Sequence, residues 1–380
     1  MPEHWEAVQT RRIVEIKKVI AGELGYDIFS ITQNGFKVKD ITSGEGQLSM
    51  DYSKYQIIQV GDLAMNGMDL LTGGVDLATT VGVTSPDYRV FAIRDDSVCH
   101  DRFLLYVCRM AYQNKVFHAF GKGSAQLGRW RLPREQFNEF RLPFPPLPEQ
   151  TAIAAFLDRE TAKIDGLVLE QRRLMELLKE KRQAVISHAV TKGLNPEAPM
   201  KPSGIEWLGD VPEHWEVVKL KFLCDIQTGD KDTENDVDDG LYPFFVRSQN
   251  VERINSMSFD CEAILTAGDG VGVGKVFHYH RGPFDFHQRV YMMNNFRHVH
   301  GPFLFHYFKE QFYKVALEGG AKSTVDSLRR PMLTNFPVCV PPEDEQHAIV
   351  AEVKDEAEKF DTLTAEAQRA IDLLQERRTA

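Results

Sequence analysis

The chain has few cysteines, and none is placed as a cross-link or a metal knuckle. Five of its 380 residues are Cys, scattered along the chain and never spaced as C-x-x-C. This usage predicts reduced thiols in a cytoplasm, with no disulfide framework and no zinc knuckle. No apolar run approaches the roughly 18 residues of a membrane span, and the first residues are too polar for a secretory signal. We therefore expect a cytoplasmic protein with no membrane partner.

Recognisable catalytic motifs are also missing. The glycine run GDGVGVGK at residues 268–275 fails the Walker A pattern, because Asp269 replaces the first glycine and Val276 follows Lys275. A glycine-permitted turn, or a close approach of backbone to DNA, is the favoured reading, and a phosphate-loop nucleotide hydrolase is kept as an alternative. Three histidines between residues 278 and 287 have no Cys or carboxylate at metal-ligand spacing, which favours a polar sheet face. We predict no catalytic residues and no metal site.

The net charge of −10 is unevenly distributed. Residues 1–144 carry 17 acidic and 17 basic residues, whereas residues 341–380 carry 11 acidic and five basic residues. Much of the remaining acid lies in the segment DKDTENDVDD at residues 230–239. Binding to nucleic acid depends on the local potential at the contact face, so a neutral domain with a basic rim remains compatible with DNA.

A long helical pattern occupies residues 145–193, where Gly166 is the only Gly or Pro between the opening prolines and Gly193. About 43 helical residues would form a rod of roughly 64 Å, which needs a partner. Residues 341–380 supply one, because a shift of 196 positions superimposes the apolar seams of the two segments. The predicted pairing residues are Ile153, Leu157, Ile164, Leu167, Leu174 and Leu178 in the first helix, with Ile349, Val353, Phe360, Leu363 and Leu374 in the second.

The repeat extends beyond the helices. The sequence PEHWE occurs at residues 2–6 and again at 212–216, and both globular segments mix strand-like alternation with one more helical stretch. The predicted fold is therefore α+β, a tandem internal repeat whose two mixed domains are joined by two long helices in an antiparallel coiled coil. We place the domains at 1–144 and 194–340, the latter opening with a Pro- and Gly-rich linker, and the helices at 145–193 and 341–380. The second helix is expected to be truncated relative to the first.

Each globular segment ends in a basic, glycine-containing loop. Lys and Arg neutralise phosphates, Arg also reads guanine edges, and small residues let backbone N–H groups approach a strand. A solvated charged loop is the alternative, but recurrence at the same place in both repeats favours DNA binding. The predicted DNA-binding residues are Lys122, Ser124, Arg129, Arg131 and Arg134 in the first repeat, and Lys275, Arg289, Lys322, Arg329 and Arg330 in the second.

These features together resemble the specificity subunit of Type I restriction-modification systems. The segments that carry the resemblance are PPLPEQTAIAAFLDRETAKID, LLKEKRQAVISHAVTKGL and EWLGDVPEHWEVVKLK. The resemblance implies a non-catalytic subunit whose two target recognition domains each read one half of a split sequence in double-stranded DNA. It also implies methylation subunits and restriction/translocation subunits as partners, with S-adenosylmethionine, ATP and Mg bound by those partners and no cofactor bound by this chain. A coiled-coil scaffold without DNA affinity stays open as the second alternative.

Overall fold

The structure is a computed structural model that describes residues 1–33, 35–39, 52–71, 73–123, 130–318 and 328–379, with the backbone alone described for 316–318. The chain divides into two compact units, one formed by Met1–Val168 with Leu374–Ala380 and the other by Leu169–Leu373. Within the described ranges, no helix has the length and apolar character needed to cross a membrane.

The first unit is built from short strands and a few helices before the first long helix begins. Its elements are β1 (Glu6–Gln9), α1 (Thr10–Ile13), β2 (Val14–Lys17), β3 (Ile28–Thr32), β4 (Gly35–Val38), β5 (Gln56–Ile58), β6 (Leu63–Met65), β7 (Val75–Leu77), β8 (Gly82–Thr84), β9 (Arg89–Ile93), α2 (Asp101–Gln113), α3 (Val116–Ala119), α4 (Arg134–Glu139), β10 (Arg141–Phe144) and the part of α5 (Leu147–Lys192) up to Val168.

Three sheets organise this unit. Two have four strands, in the orders β2-β9-β6-β7 and β4-β3-β8-β5, and the third pairs β1 with β10. The apolar face of α2 packs into the main core, where Leu105 and Cys108 join Phe91 and Phe137. Ala154 of α5 belongs to the same core, so the first turns of the long helix are anchored on the globular part of the unit.

The second unit repeats this plan with longer strands. Besides α5 from Leu169 onward, its elements are β11 (Met200–Pro202), β12 (Asp210–Pro212), β13 (Glu216–Lys219), β14 (Asp225–Thr228), β15 (Tyr242–Phe245), β16 (Glu252–Ile254), β17 (Phe259–Ala267), β18 (Phe277–Phe286), β19 (Val290–Asn294), α6 (Gly301–Glu318), α7 (Arg330–Thr334), β20 (Pro337–Val340) and the part of α8 (Glu343–Thr379) up to Leu373, with 3-10 turns at Leu220–Phe222, Thr233–Asn235 and Gly270–Gly272.

A six-stranded sheet in the order β14-β19-β17-β18-β15-β16 dominates the second unit. All its pairings are antiparallel except β15 with β18, where Phe244 lies opposite Asp285. Its core is rich in aromatic residues: Phe303 and Phe308 of α6 are fully buried, and the Phe303 ring lies 6.4 Å from that of Trp215. As in the first unit, a two-stranded sheet, β13 with β20, leads directly into the long helix that follows.

The linker predicted after residue 193 is wrong in one respect, because part of it is a structural element. Strands β11 and β12 pair as an antiparallel hairpin, with Met200 opposite Pro212. Beside the hairpin, Trp207 stacks on Phe336 with ring centroids 6.0 Å apart. Local composition indicated a turn-rich segment, but burial of the two apolar residues Leu208 and Val211 against the core orders it.

The long helices match the predicted extents closely, with α5 running for 46 residues and α8 for 37. In the second unit Arg182 of α5 donates to Asp361 of α8 (2.7 Å). In the first unit Arg378 of α8 donates to Asp165 of α5, also at 2.7 Å. Exposed ion pairs of this kind contribute about 0.2–1 kcal/mol each, so they fix register more than they stabilise.

At several positions the buried side of the long helices lies one residue away from the predicted apolar seam. Leu167, Leu174 and Leu363 are 38%, 43% and 46% exposed, which contradicts their placement in a buried seam. Residues one place further along are half-buried instead, namely Val168, Met175 and Thr364. In α5 the shift is that of a helix of about 3.6 residues per turn, whose buried stripe drifts from a strict 3.5-residue repeat.

The other predicted seam residues are less accessible. Ile164 and Phe360 are each 6% exposed. Ile349 and Val353 are buried within the core of the second unit, in the cluster that also contains Ile186 of α5. Ile153 packs against the core of the first unit, so some predicted pairing residues attach the helices to the globular parts. The last three predicted seam residues, Leu157, Leu178 and Leu374, are half-buried.

A buried acid on α6 makes stability depend on pH. Glu310 is 5% exposed, and burial raises the pKa of its carboxyl from 4.5 to about 7 despite the nearby charges of Lys309 and Arg182. The folded state holds the Glu310 proton more tightly than the unfolded state does. The stabilisation that comes from this protonated side chain is therefore present in full below the unfolded pKa. That contribution is lost as pH rises towards the folded pKa, and amounts to about 3 kcal/mol.

Replacement of Glu310 by Gln is therefore expected to flatten the decline in unfolding free energy between pH ~5 and ~8. The amide resembles the protonated acid in shape and stays neutral throughout that range. Urea unfolding at the two pH values measures the effect, and Glu366→Gln on the exposed face of α8 serves as the control. An unchanged pH dependence in Glu310→Gln would contradict the assignment.

Candidate nucleic-acid interface

The repeated PEHWE motif fastens each globular part to the start of a long helix. In the first unit the indole N–H of Trp5 donates to Glu149 (3.1 Å), and His4 Nε2 lies 2.9 Å from the same carboxylate. In the second unit Trp215 makes the equivalent bond to Glu345, also at 3.1 Å. The two motifs that recur in the sequence, PEHWE and the EQ of the helix start, are thus contact partners.

A buried glutamine next to each of these glutamates holds the loop that precedes α2 or α6. Gln346 is 2% exposed, its Oε1 accepts from the backbone N–H of His300 (2.6 Å), and its Nε2 donates to Pro341 O (2.9 Å) and His298 O (3.3 Å). Gln150 does the same in the first unit, with Nε2 to Pro145 O at 2.8 Å. Each amide satisfies backbone groups that would otherwise be buried without partners.

The basic loop of the first unit is closed by a pair of backbone hydrogen bonds. The N–H of Lys122 donates to Arg131 O (2.8 Å), and the N–H of Arg131 donates back to Lys122 O (3.0 Å). Trp130 packs its ring 4.6 Å from that of His118, and the N–H of Leu132 reaches Gly67 O (3.0 Å). These contacts fix both flanks of the basic segment, and the side chains of Lys122 and Arg131 are exposed.

The second unit repeats the backbone contact made by Leu132. The N–H of Leu328 donates to Gly268 O (2.8 Å), and the N–H of Gly268 donates to Arg289 O (2.8 Å). This connects the end of the second basic loop to the glycine-rich turn and to the start of β19. Three segments that are far apart in sequence therefore meet around Gly268. They carry the exposed residues Lys275, Arg289 and Arg329.

The remaining predicted DNA-binding residues differ in their exposure and hydrogen bonding. Arg134 is exposed at the start of α4. Arg330 is exposed too, but its Nη2 donates to Ile226 O (2.9 Å), so part of its guanidinium supports the fold. The predictions for Ser124, Arg129 and Lys322 lie outside the described residues.

Equivalent arginines in the two repeats are used differently. Arg89, which matches Arg289 in the sequence repeat, packs its guanidinium over the Phe137 ring at 4.7 Å and donates to Leu132 O (2.7 Å). Burial, followed by the charge of Arg134, lowers the pKa of Arg89 to about 10. It stays charged near neutral pH as an internal support of the loop, whereas the side chain of Arg289 is 61% exposed.

The glycine run of the second unit does not have the geometry of a phosphate loop. After Lys275 the chain enters strand β18, whereas a phosphate loop leads into a helix whose N-terminus faces the phosphates. The histidines nearby make polar contacts within the fold: His278 Nε2 lies 3.0 Å from Ser248 O, and the N–H of Arg289 donates to His287 Nδ1 (2.9 Å). In the described part of the chain, no three His, Cys, Asp or Glu residues are grouped to hold a metal ion.

One acidic residue and one basic residue that matter at this site, Asp269 and Arg247, were not predicted. In the sequence Asp269 stands out only as the residue that breaks the Walker pattern, and no motif marks Arg247. The structure brings them together with Arg289, since both arginines donate to the Asp269 carboxylate. Separations of 20 residues or more between the partners leave no local signal in a single sequence.

Comparison with known proteins gives relatives that are named as specificity subunits. The chain is 33% identical over 160 residues to the Type I restriction enzyme EcoDI specificity subunit of Escherichia coli, a match that covers 42% of this chain and 33% of that one. It is 25% identical over 235 residues to the putative type I restriction enzyme MjaX specificity subunit of Methanocaldococcus jannaschii, covering 58% and 52%. The chain thus spans from a third to about half of the length of these relatives.

Two solved structures share the fold over the whole chain. One is a chain from work on complex assembly and conformational transition of the type I R-M system, with a TM-score of 0.70 and 14% identity, covering 100% of this chain and 96% of that one. The other is the HsdS subunit from Thermoanaerobacter tengcongensis, with a TM-score of 0.56 and 14% identity, covering 100% and 97%. At this identity the likeness establishes the fold alone.

The family itself is identified from sequence. The family model described as the Type I restriction modification DNA specificity domain matches residues 3–177 and again residues 212–371. These two matches coincide with the two repeats, each comprising a globular part and most of the helix that follows it. The chain belongs to the Type I restriction-modification DNA specificity domain family.

Proposed function

We propose that this chain is the DNA sequence-recognition subunit of a Type I restriction-modification complex and binds a bipartite target in double-stranded DNA. The observation that carries the proposal is the recurrence, in both repeats, of a basic segment whose described cations are exposed and whose end is anchored by one backbone hydrogen bond to a glycine-containing turn. Two equivalent readers in one chain suit a target with two halves. The family membership and the relatives' names support the same function.

The contacting residues are proposed to be the exposed cations of these loops. Lys122, Arg131 and Arg134 would neutralise phosphates in one half of the target. In the other half of the target, phosphates would be neutralised by Lys275, Arg329 and the part of the Arg330 guanidinium that does not bind Ile226, with Arg289 nearby. The predicted contacts of Ser124, Arg129 and Lys322 remain proposals from the sequence.

The two long helices are proposed to pair as an antiparallel coiled coil that separates the readers. Supporting this, the order of contacts in the second unit is antiparallel, since Arg182 pairs with Asp361 while Ile186 shares a core with Val353. The pairing of Asp165 with Arg378 in the first unit follows the same sense. A rigid spacer would set the distance between half-sites by geometry, as dimer symmetry does in other DNA readers.

Methylation subunits and restriction/translocation subunits are the proposed protein partners. In this proposal the chain carries out no chemistry. S-adenosylmethionine, ATP and Mg belong to those partners, and this chain binds no cofactor. Co-expression with a methylation subunit followed by a genome-wide map of methylated bases tests the whole assignment. A two-part methylated motif supports it, and methylation without this chain would contradict it.

Removing charge from the first loop should weaken DNA binding without changing the motif. The double variant Arg131→Ala/Arg134→Ala deletes two exposed cations, and each lost phosphate contact is expected to reduce the salt slope of log K by about 0.9. Binding of the full chain to target duplex, measured over a range of salt concentrations, gives both affinity and slope.

A matched control removes two exposed charges elsewhere. Arg159→Ala/Lys163→Ala takes the same charge from α5, so the long-range field changes by a similar amount. We expect a smaller loss of affinity in this control and a slope close to that of the unaltered chain. Equal effects of the two double variants would contradict the assignment of the loop.

Two alternatives predict different results. A coiled-coil scaffold without DNA affinity predicts no retention of duplex DNA, even when the partners are present. A phosphate-loop hydrolase using Lys275 predicts nucleotide turnover by the isolated chain, although the strand that follows Lys275 disfavours it. Duplex binding and nucleotide hydrolysis by the same preparation therefore separate all three functions.

A further inference from the structure

The carboxylate of Asp269 lies between two arginines at the glycine-rich turn of the second unit. Arg247 Nη1 donates to Oδ1 (3.0 Å), and Arg289 Nη1 donates to Oδ2 (2.6 Å). The acid side chain is only 16% exposed, whereas the arginine side chains are 42% and 61% exposed. The acid is therefore sheltered beneath two cations that face outward.

The backbone around this cluster is tightly constrained. Gly270 has a φ of +72°, which a residue with a side chain adopts only with strain. A Cβ on Gly272 would lie 2.6 Å from the carbonyl oxygen of Arg247, so the turn approaches that strand end closely. On the other side, the N–H of Arg289 donates to His287 Nδ1 (2.9 Å). Both arginines thus start from fixed backbone positions.

The electrostatics of the cluster favour a permanently ionised acid. Burial of Asp269 would raise the pKa of its carboxyl, but the hydrogen bonds from Arg289 and Arg247 outweigh burial and leave the pKa below its usual value. Each arginine donates one N–H group to the Asp269 carboxylate. Within the described residues neither guanidinium has another hydrogen-bond partner, so most of their donors point to solvent.

The cluster also lies beside the segments assigned to DNA. Lys275 is exposed on the same turn, and the N–H of Leu328 bonds to Gly268, the residue before Asp269. Two arginines and one lysine are grouped around Asp269 here, and the hydrogen bond and charge of Asp269 first, and the charge of Asp232 to a smaller extent, raise the pKa of Arg289. A second acid-bound arginine, Arg297 on Asp225, follows the far end of β19, and there the acid is 48% exposed and bonds to only one arginine.

We propose that Arg247 and Arg289 read guanine bases in the half-site bound by the second repeat, and that Asp269 is the positioning residue that holds them in place. The proposal rests on the proposed DNA-recognition function and names the residues that give the second half-site its base preference. A guanidinium held from one side keeps a planar pair of donors free, which matches O6 and N7 of guanine. Fixing two long side chains before binding also reduces the conformational entropy lost on contact with DNA.

Selection of duplexes by the full chain from a random-sequence library tests this. The unaltered chain should enrich a two-part motif. Arg289→Ala and Arg247→Ala should each lower the preference for guanine at one position of one half-site by about tenfold or more, and leave the other half-site unchanged. Arg289→Lys should also lose that preference while largely keeping affinity, because it retains charge without the planar fork.

Asp269→Asn separates positioning from simple charge. It removes a negative charge near phosphates, so total affinity for random duplex should hold or rise, while guanine preference at both positions should fall. Arg297→Ala is the matched control, since it opens an arginine–aspartate pair of the same kind and should leave the motif intact. Urea unfolding of each variant establishes that it is folded.

The outcomes distinguish the possibilities. Uniform weakening across all sequences in Arg289→Ala, with the motif unchanged, would make the arginines phosphate anchors and overturn the inference. An unchanged motif in Asp269→Asn would remove the positioning role. If the unaltered chain enriches no two-part motif, the proposed function itself fails, whereas a motif that survives all these substitutions rejects this inference alone.

Discussion

Replacing Gln346 with Glu is expected to lower the free energy of unfolding by about 3–5 kcal/mol. The side chain is 2% exposed, and its amide nitrogen donates to the carbonyl oxygens of Pro341 and His298. A carboxylate has the same size but no hydrogen to donate, so two carbonyls would face a buried negative charge. Urea unfolding followed by tryptophan fluorescence measures the change.

The control for this substitution is Gln375→Glu, which makes the same exchange at an exposed position of the same helix. We expect the control to alter stability by less than about 0.5 kcal/mol. Gln150→Glu should behave as Gln346→Glu does, because Gln150 makes the same three bonds in the first repeat. Equal stability of Gln346→Glu and Gln375→Glu would show that the buried amide is not needed.

Lengthening both long helices by seven residues is expected to widen the gap between the two halves of the DNA target. A heptad keeps the apolar seam in register and adds about 10.5 Å to an α-helix, comparable with about three base pairs of duplex. Suitable insertion points are after Arg173 in α5 and after Arg369 in α8, which lie opposite each other if the register of Arg182 with Asp361 continues. The base sequence of each half-site should not change.

A map of methylated sites from cells that contain the variant chain and a methylation subunit measures the gap. An insertion into α5 alone is the control, because it displaces one seam against the other and should abolish the two-part motif. A longer gap in the paired insertion, with both half-sites retained, is the expected result. An unaltered gap would show that something other than the helices sets the spacing.

Much of the architecture was predictable because its signals are local or repeated. Apolar steps of three and four predict α5 and α8, and the repeat of PEHWE and of the EQ pair marked the two units. The fastening of Trp5 to Glu149 and of Trp215 to Glu345 was not predicted, because a single sequence does not say that these residues touch. The family was recognised from the same segments and is confirmed by the family match.

Several details were not predictable. The burial of Arg89 and the exposure of Arg289 follow from different surroundings at equivalent sequence positions. The pairing of β11, which lies in the predicted linker, with β12 was not predictable, because its order comes from packing onto a core formed by distant residues.

The sequence by itself determined the two repeats, the two long helices and the positions of the basic loops, since periodicity, composition and internal repetition are properties of neighbouring residues or of a whole segment. Only the tertiary structure decided which charges at those loops are buried supports and which face outward. It also decided that Asp269, Arg247 and Arg289 meet. Contacts of this kind join residues 20 or more positions apart, and they form only in the folded chain, where Arg247 follows β15, Asp269 follows β17 and Arg289 precedes β19.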